Sequence, residues 1–274
     1  MFKGTSASAG IGIGKAVIVE EAELVITRNE VADAEAEIQR FKGALEKTIA
    51  ATQKMADDLA SRVGEKEAEI MQGHMMLLSD PMLTGEIENS VKNDKVNCEF
   101  AIENVCNMYA DMFASMGDEL MQQRATDMRD IKVRMQRTLM GLESVDVSLL
   151  PKGSILVAKD LTPSMTAGIN PENVSGIVTE LGGKTSHSAI LARALEIPAV
   201  VAVNGLMDAV KDGDSVVLDG STGEVFVNPE ASVEKEYEEK RSQFLKRQKR
   251  TGKIHWTAFC YKRRRTGRDR CQYR

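Results

Sequence analysis

An α/β domain interrupted by an all-helical insertion is the fold class predicted for this chain, and three observations predict it. Short apolar runs bounded by turn residues occur both at the start of the chain and again after Pro151. Between Val31 and Leu142 the hydrophobic residues recur at steps of three and four instead. At Pro151 the helical period ends and strand-like runs return.

The opening Thr5-Ser6-Ala7-Ser8-Ala9-Gly10-Ile11-Gly12-Ile13-Gly14-Lys15 reads as a glycine-rich loop feeding the strand Ala16-Val17-Ile18-Val19. Close packing against another strand is the favoured role for its glycines, because no helix follows as a dinucleotide cradle requires. Val31, Ala34, Ile38, Phe41, Leu45, Thr48, Thr52, Met55 and Leu59 then mark one face of a long amphipathic helix. Further helices are expected over Glu67–Leu78, Met82–Val91, Phe100–Met116 and Leu120–Leu142, broken at Ser79-Asp80-Pro81, Asn93-Asp94-Lys95 and Gly117-Asp118. Methionines recur at Met71, Met75, Met76, Met82, Met108, Met112 and Met116, as core filler or as adaptable docking surface. His74 reads as a structural or interface residue.

Past Pro151, strands are expected at Ser154–Ala158, Ser175–Thr179, Ala199–Ala202, Ser215–Leu218 and Glu224–Val227. The strand ahead of the helices is expected to join them. That arrangement makes the helical segment an insertion.

No apolar run approaches the roughly 18 residues of a membrane span, and the start Met1-Phe2-Lys3-Gly4-Thr5 has no signal-peptide core. A cytoplasmic address is expected. Cys98, Cys106, Cys260 and Cys271 form no regular framework, and three histidines without ligand spacing argue against a protein-built metal site. Charge is divided unevenly. From Arg241 onward 13 of the 36 Lys/Arg stand against one acid, leaving +12 there and −17 in residues 1–240. An acidic body suits a basic protein partner and repels nucleic acid.

The chemistry concentrates in Gly182-Gly183-Lys184-Thr185-Ser186-His187-Ser188-Ala189-Ile190-Leu191-Ala192-Arg193. A glycine pair admits close approach of a ligand, and Thr185 or Ser186 can cap the helix that follows. His187 would then lie in the first turn. There the free N–H groups and the helix dipole favour an anion and disfavour an imidazolium. That is the setting of a neutral nucleophilic histidine that carries a phosphoryl group. Lys184 and Arg193 are candidates for offsetting phosphoryl charge.

These residues resemble the enzyme I family, the phosphoenolpyruvate-protein phosphotransferases of the bacterial sugar phosphotransferase system. The start Gly4 to Ala16, the segment Gly73 to Leu78 and Arg124-Ala125-Thr126-Asp127-Met128-Arg129-Asp130-Ile131 share in the likeness, which covers about residues 1–249. The resemblance implies an α/β phosphohistidine (swivelling) domain over 1–21 and 146–230, with an inserted all-α helical subdomain over 22–145. A helix leading to the next domain would occupy 231–249. It implies that His187 is phosphorylated and passes the group to the histidine phosphocarrier protein. Thr166 is similar to the family threonine that hydrogen-bonds the active histidine. Glu65, His74, Met76, Leu77, Leu78 and Arg124 would meet the carrier. No cofactor is expected in this chain, since the family's Mg²⁺ and phosphoenolpyruvate belong to a barrel domain expected to be missing, together with the family's dimer contact. A monomer unable to use phosphoenolpyruvate unaided is therefore expected.

Residues 250–274 have neither helical nor strand period, and reverse the charge of the body. A frame shift near Arg250 accounts for this, because compatible codons read one base later restore a segment resembling the family's continuation. Two rival functions remain. One is the mobile phosphohistidine domain of a dikinase-like enzyme, disfavoured because no nucleotide-binding segment precedes the histidine. The other is a non-catalytic module that binds the carrier, with His187 a relic.

Overall fold

Both ends of one sheet are held by a single N-terminal stretch. In the computed structural model, which describes residues 1–143 and 145–247, the strands are β1 (Phe2–Lys3), β2 (Thr5–Ser8), β3 (Ile11–Ile18), β4 (Ser154–Ala158), β5 (Val174–Thr179), β6 (Ala199–Val201), β7 (Ser215–Asp219) and β8 (Glu224–Val227). They pair in the order β1-β8-β7-β3-β4-β5-β6-β2, with β3, β4, β5 and β6 parallel to one another. β1 and β2 flank Gly4, so the two edge strands are neighbours in sequence and the sheet wraps into a barrel-like whole. Gly4 N donates to Gly223 O at 2.8 Å and Ser6 Oγ to Gly220 O at 2.5 Å across the seam. Closure leaves little open edge.

Here the structure corrects the sequence reading, because the glycine-rich opening is strand rather than loop. Gly14 sits in β3 because a Cβ there would overlap the Gly153 carbonyl oxygen. Alternation along the strands builds two cores. Ile155, Val157, Val178, Val200, Val216 and Leu218 fill one face. Leu156, Ala158, Ile177, Ala199 and Val201 meet the helices on the other.

Those helices are α6 (Pro163–Gly168) and α7 (His187–Ala194), and a short α8 (Leu206–Ala209) follows. Between β3 and β4 the chain makes α1 (Ala34–Arg62), α2 (Glu65–Leu78), α3 (Pro81–Asp94), α4 (Cys98–Ser115) and α5 (Glu119–Met140). Asp33, Asp80 and Asp118 cap α1, α3 and α5 with side-chain oxygens, and the last two lie in breaks that the sequence marks. Phe41, Leu78, Leu83, Ile87, Ile102, Met128 and Ile131 form the helical core.

A smaller cluster joins the two units and fixes where the site lies. Ala56, Leu59 and Met71 of the helical unit pack against Ala167 of α6 and Leu191 of α7. Arg62 adds polar ties, donating from Nη1 to Ile169 O at 2.8 Å and from Nη2 to Ala167 O. These contacts set the start of α7 opposite α2 and α5.

A further helix runs over 231–247 and buries Tyr237 against Ile11 and Val217. No helix among the described residues is long and apolar enough to cross a membrane. The frame-shifted tail inferred for 250–274, with Cys260 and Cys271, lies outside the described residues.

Candidate active site

His187 opens α7. Its predecessor Ser186 is the cap, in extended backbone (φ −63°, ψ 153°), and its Oγ accepts the Ala189 N–H at 3.3 Å. Of the two capping candidates, Thr185 is exposed and makes no hydrogen bond among the described residues. Ser186 Oγ also donates to Gly183 O at 2.8 Å, which folds the glycine loop back on the helix start. Gly182 supplies the left-handed turn at φ +100°. Lys184 is exposed on this loop.

The His187 side chain is 10% exposed and faces Asp127 of α5, with Nδ1 3.8 Å from Oδ1. That separation is longer than a hydrogen bond and leaves a charge–dipole contact able to tighten in a complex. Nε2 has no hydrogen-bond partner among the described residues and is not sealed from solvent. The residue lines a cleft of about 340 Å³ whose walls also include Lys66, Glu69, Ile70, Arg124 and Asp127. Burial pushes the His187 pKa below its usual value, while the Asp127 carboxylate pulls the other way and His74 adds a smaller lowering effect. Loss of hydration wins, so the ring is neutral at pH 7 with a lone pair available.

Behind Asp127 lies a network that sequence reasoning left without a role. His74 of α2 is fully buried, with Nε2 3.2 Å from Asp127 Oδ1 and Nδ1 3.5 Å from Asp130 Oδ2. Asp127 Oδ2 accepts from Arg124 Nη1 at 3.4 Å. Asp130 accepts from Ser164 Oγ at 2.7 Å and from Ser164 N at 3.2 Å, both in the first turn of α6. Asp127 and Asp130 stand among Ala125, Met128 and Ile131, all buried. A signal was therefore present: two acids occupy the inward register of an amphipathic helix.

Several sequence expectations need correction. Thr166 does not bond His187. It is fully buried and its Oγ1 donates to Thr162 O at 2.8 Å, the usual bond of a helical threonine to the preceding turn. Arg193 does not face the His187 cleft either, since its Nη1 donates to Ala7 O at 3.0 Å and Lys184 O at 3.1 Å, tying β2 to the glycine loop. Of the residues expected to meet a carrier, His74 and Leu78 are sealed in the interior, because they take the inward face of α2. Leu77 is partly buried against the helical core. Glu65 and Met76 are exposed, Met76 to 75%, and Arg124 is partly exposed. The exposed apolar set also runs further than Gly73 to Asp80, through Met82, Met108, Met112, Met116 and Leu120.

Gly73 has a local reason to lack a side chain, since a Cβ there would stand 2.6 Å from Arg124 Nη1. Among the described residues no group of three or more His, Cys, Asp or Glu has metal-holding geometry.

Comparison with known proteins agrees with this arrangement. The family described as PEP-utilising enzyme, N-terminal, matches residues 3–124, and that described as PEP-utilising enzyme, mobile domain, matches residues 150–223. The phosphoenolpyruvate-protein phosphotransferase of Bacillus subtilis is 41% identical over 244 residues, and that of Staphylococcus carnosus 40% identical over 245. In each case the match covers 89% of this chain, which spans 43% of the relative's length. An enzyme I structure solved by NMR is 39% identical with a TM-score of 0.77, the match covering 89% of this chain and 99% of that one. The N-terminal domain of the nitrogen enzyme I is 26% identical with a TM-score of 0.57. With two family matches falling on either side of residues 125–149 and a near-complete overlap with a solved relative, the chain belongs to the enzyme I family of phosphoenolpyruvate-protein phosphotransferases.

Proposed function

We propose that His187 takes up a phosphoryl group on Nε2 and exchanges it reversibly with a histidine phosphocarrier protein docked on the helical unit. One observation carries the reading: a neutral imidazole at a helix start turns Nδ1 toward a buried carboxylate and lines a cleft. The Nε2 lone pair attacks the phosphorus of the donor phosphohistidine. The donor's P–N bond breaks and its electron pair returns to the donor ring. Asp127 balances the positive charge that His187 gains at Nδ1–H, so no proton need leave during the step.

Free N–H groups in the first turn of α7 and the cations Arg124 and Lys66 offset charge on the transferred group. Exposed Met76, Met82, Met108, Met112 and Met116 supply an adaptable apolar surface, and the acidic body favours a basic partner. Mixing the chain with labelled phosphocarrier tests the proposal. Acid-labile label on His187, absent from His187→Ala, is expected. A wild-type chain that binds the carrier yet takes no label would instead establish a non-catalytic binding module.

A further inference from the structure

His74 lies outside the cleft, cannot touch a substrate as placed, and nevertheless brings its two ring nitrogens to both buried aspartates of α5. Two carboxylates in the interior are costly unless donors reach them. Asp130 has the Ser164 hydroxyl and N–H from α6. Asp127 has the Arg124 guanidinium on Oδ2, and on Oδ1 it has His74 Nε2 at 3.2 Å and His187 Nδ1 at 3.8 Å. Ser164, Asp130, His74, Asp127 and His187 lie in line, with hydrogen bonds joining Ser164 to Asp130 and His74 to Asp127. His74 Nδ1 stands 3.5 Å from Asp130 without a hydrogen bond, and His187 Nδ1 stands 3.8 Å from Asp127. The line starts in α6, crosses the helical unit through α5 and α2, and returns to α7.

From this line we infer that His74 is a positioning residue, which holds Asp127 so that His187 carries its proton on Nδ1 and presents Nε2 as the nucleophile. An imidazole donates only from a ring nitrogen that carries a proton. His74 at the shorter distance gives its Nε2–H to Asp127 Oδ1, fixing the carboxylate's rotamer. The fixed oxygen then faces His187 Nδ1 and stabilises the proton there, against the ordinary preference of free imidazole for the other tautomer. Ser164 separately holds Asp130 to α6 through two hydrogen bonds. The charged and titratable groups facing His74 are Asp127 and Asp130 on α5 and, beyond Asp127, Arg124 and His187.

The inference deepens the proposed phosphoryl transfer, and its first test does not depend on that reading. Long-range proton–nitrogen NMR of the unphosphorylated full chain at pH 7.5 or above reads the tautomer of each histidine directly. Wild type is expected to show His187 protonated on Nδ1 and His74 on Nε2, and His187 protonated mainly on Nε2 would overturn the inference. In His74→Phe, His187 is expected to swing to the Nε2-protonated form, while His74→Gln, whose amide can still donate to Asp127, keeps the wild-type form. If His74→Phe does not fold, His74→Gln and wild type still decide the matter.

Phosphoryl exchange supplies the second readout. His74→Phe is expected to lower kcat at least tenfold with the carrier's KM within twofold, and His74→Gln to recover most of the loss. Equal tautomers and equal kcat in a folded His74→Phe chain would contradict the positioning role. A tautomer shift in a chain whose wild type transfers no phosphoryl group would keep the positioning role and discard the proposed function.

Discussion

His187 and His74 approach the same oxygen, Asp127 Oδ1, and the difference between their surroundings separates their roles. His187 begins a helix, lines a cleft and loses only part of its hydration. His74 lies inside α2 with its ring sealed. The same side chain thus serves as a nucleophile in one place and as a brace in the other. Placement at a helix start, rather than histidine chemistry alone, marks the reactive one.

The comparison is broken most completely at His187 itself. His187→Ala should remove all phosphoryl exchange while leaving folding free energy within about 1 kcal/mol, since the side chain is at a cleft edge. Label counting and urea unfolding check both halves. The next largest effect contrasts two neighbours on α2. Leu78→Ala should cost about 2–5 kcal/mol in urea unfolding because it opens the helical core. Met76→Ala should change stability by less than about 0.5 kcal/mol, yet weaken carrier binding about fivefold by calorimetry.

Acidity gives a smaller effect with a definite sign. The His187 pKa is lowered in the fold, so between that value and the unfolded value near 6.5 the unfolded chain binds more protons. His187 therefore makes stability fall as pH drops through the window below about 6.5, and contributes no such change above it. An NMR titration should place the His187 midpoint below 6.5, and Asp127→Asn should lower it further, because the carboxylate opposes the effect of burial. Smallest of all, Arg193→Lys should cost about 0.5–1.5 kcal/mol in thermal unfolding, as one guanidinium nitrogen serves two carbonyls that an ammonium reaches less well.

Much of the architecture was legible because it rests on local rules. The three-and-four spacing from Val31 to Leu59 and the breaks around Asp80, Asp94 and Asp118 placed the helices to within a few residues. Strand ends after Pro151 followed from turn residues. Close packing of Gly12 and Gly14 against a neighbouring strand was legible, but their place inside β3 was not, since a glycine in a bend and a glycine in a strand look alike in sequence. At the site, the start of α7 was legible from Gly182 to His187.

What faced it was not. Asp127 and Asp130 reach His74 and Ser164 only through packing of α2, α5 and α6, contacts between residues 34 or more apart in sequence. The expected Thr166 bond failed for a local reason, because a buried helical threonine finds its own preceding turn first. Reading Met76-Leu77-Leu78 as one patch ignored the helical turn, which sends Met76 out and Leu78 in.

Phosphorus and nitrogen NMR of the chain after incubation with phosphorylated carrier tests the central claim most directly. The account predicts one phosphohistidine, at His187, with phosphorus bonded to Nε2. A phosphoryl group on His187 Nδ1, on another residue, or on none would contradict it.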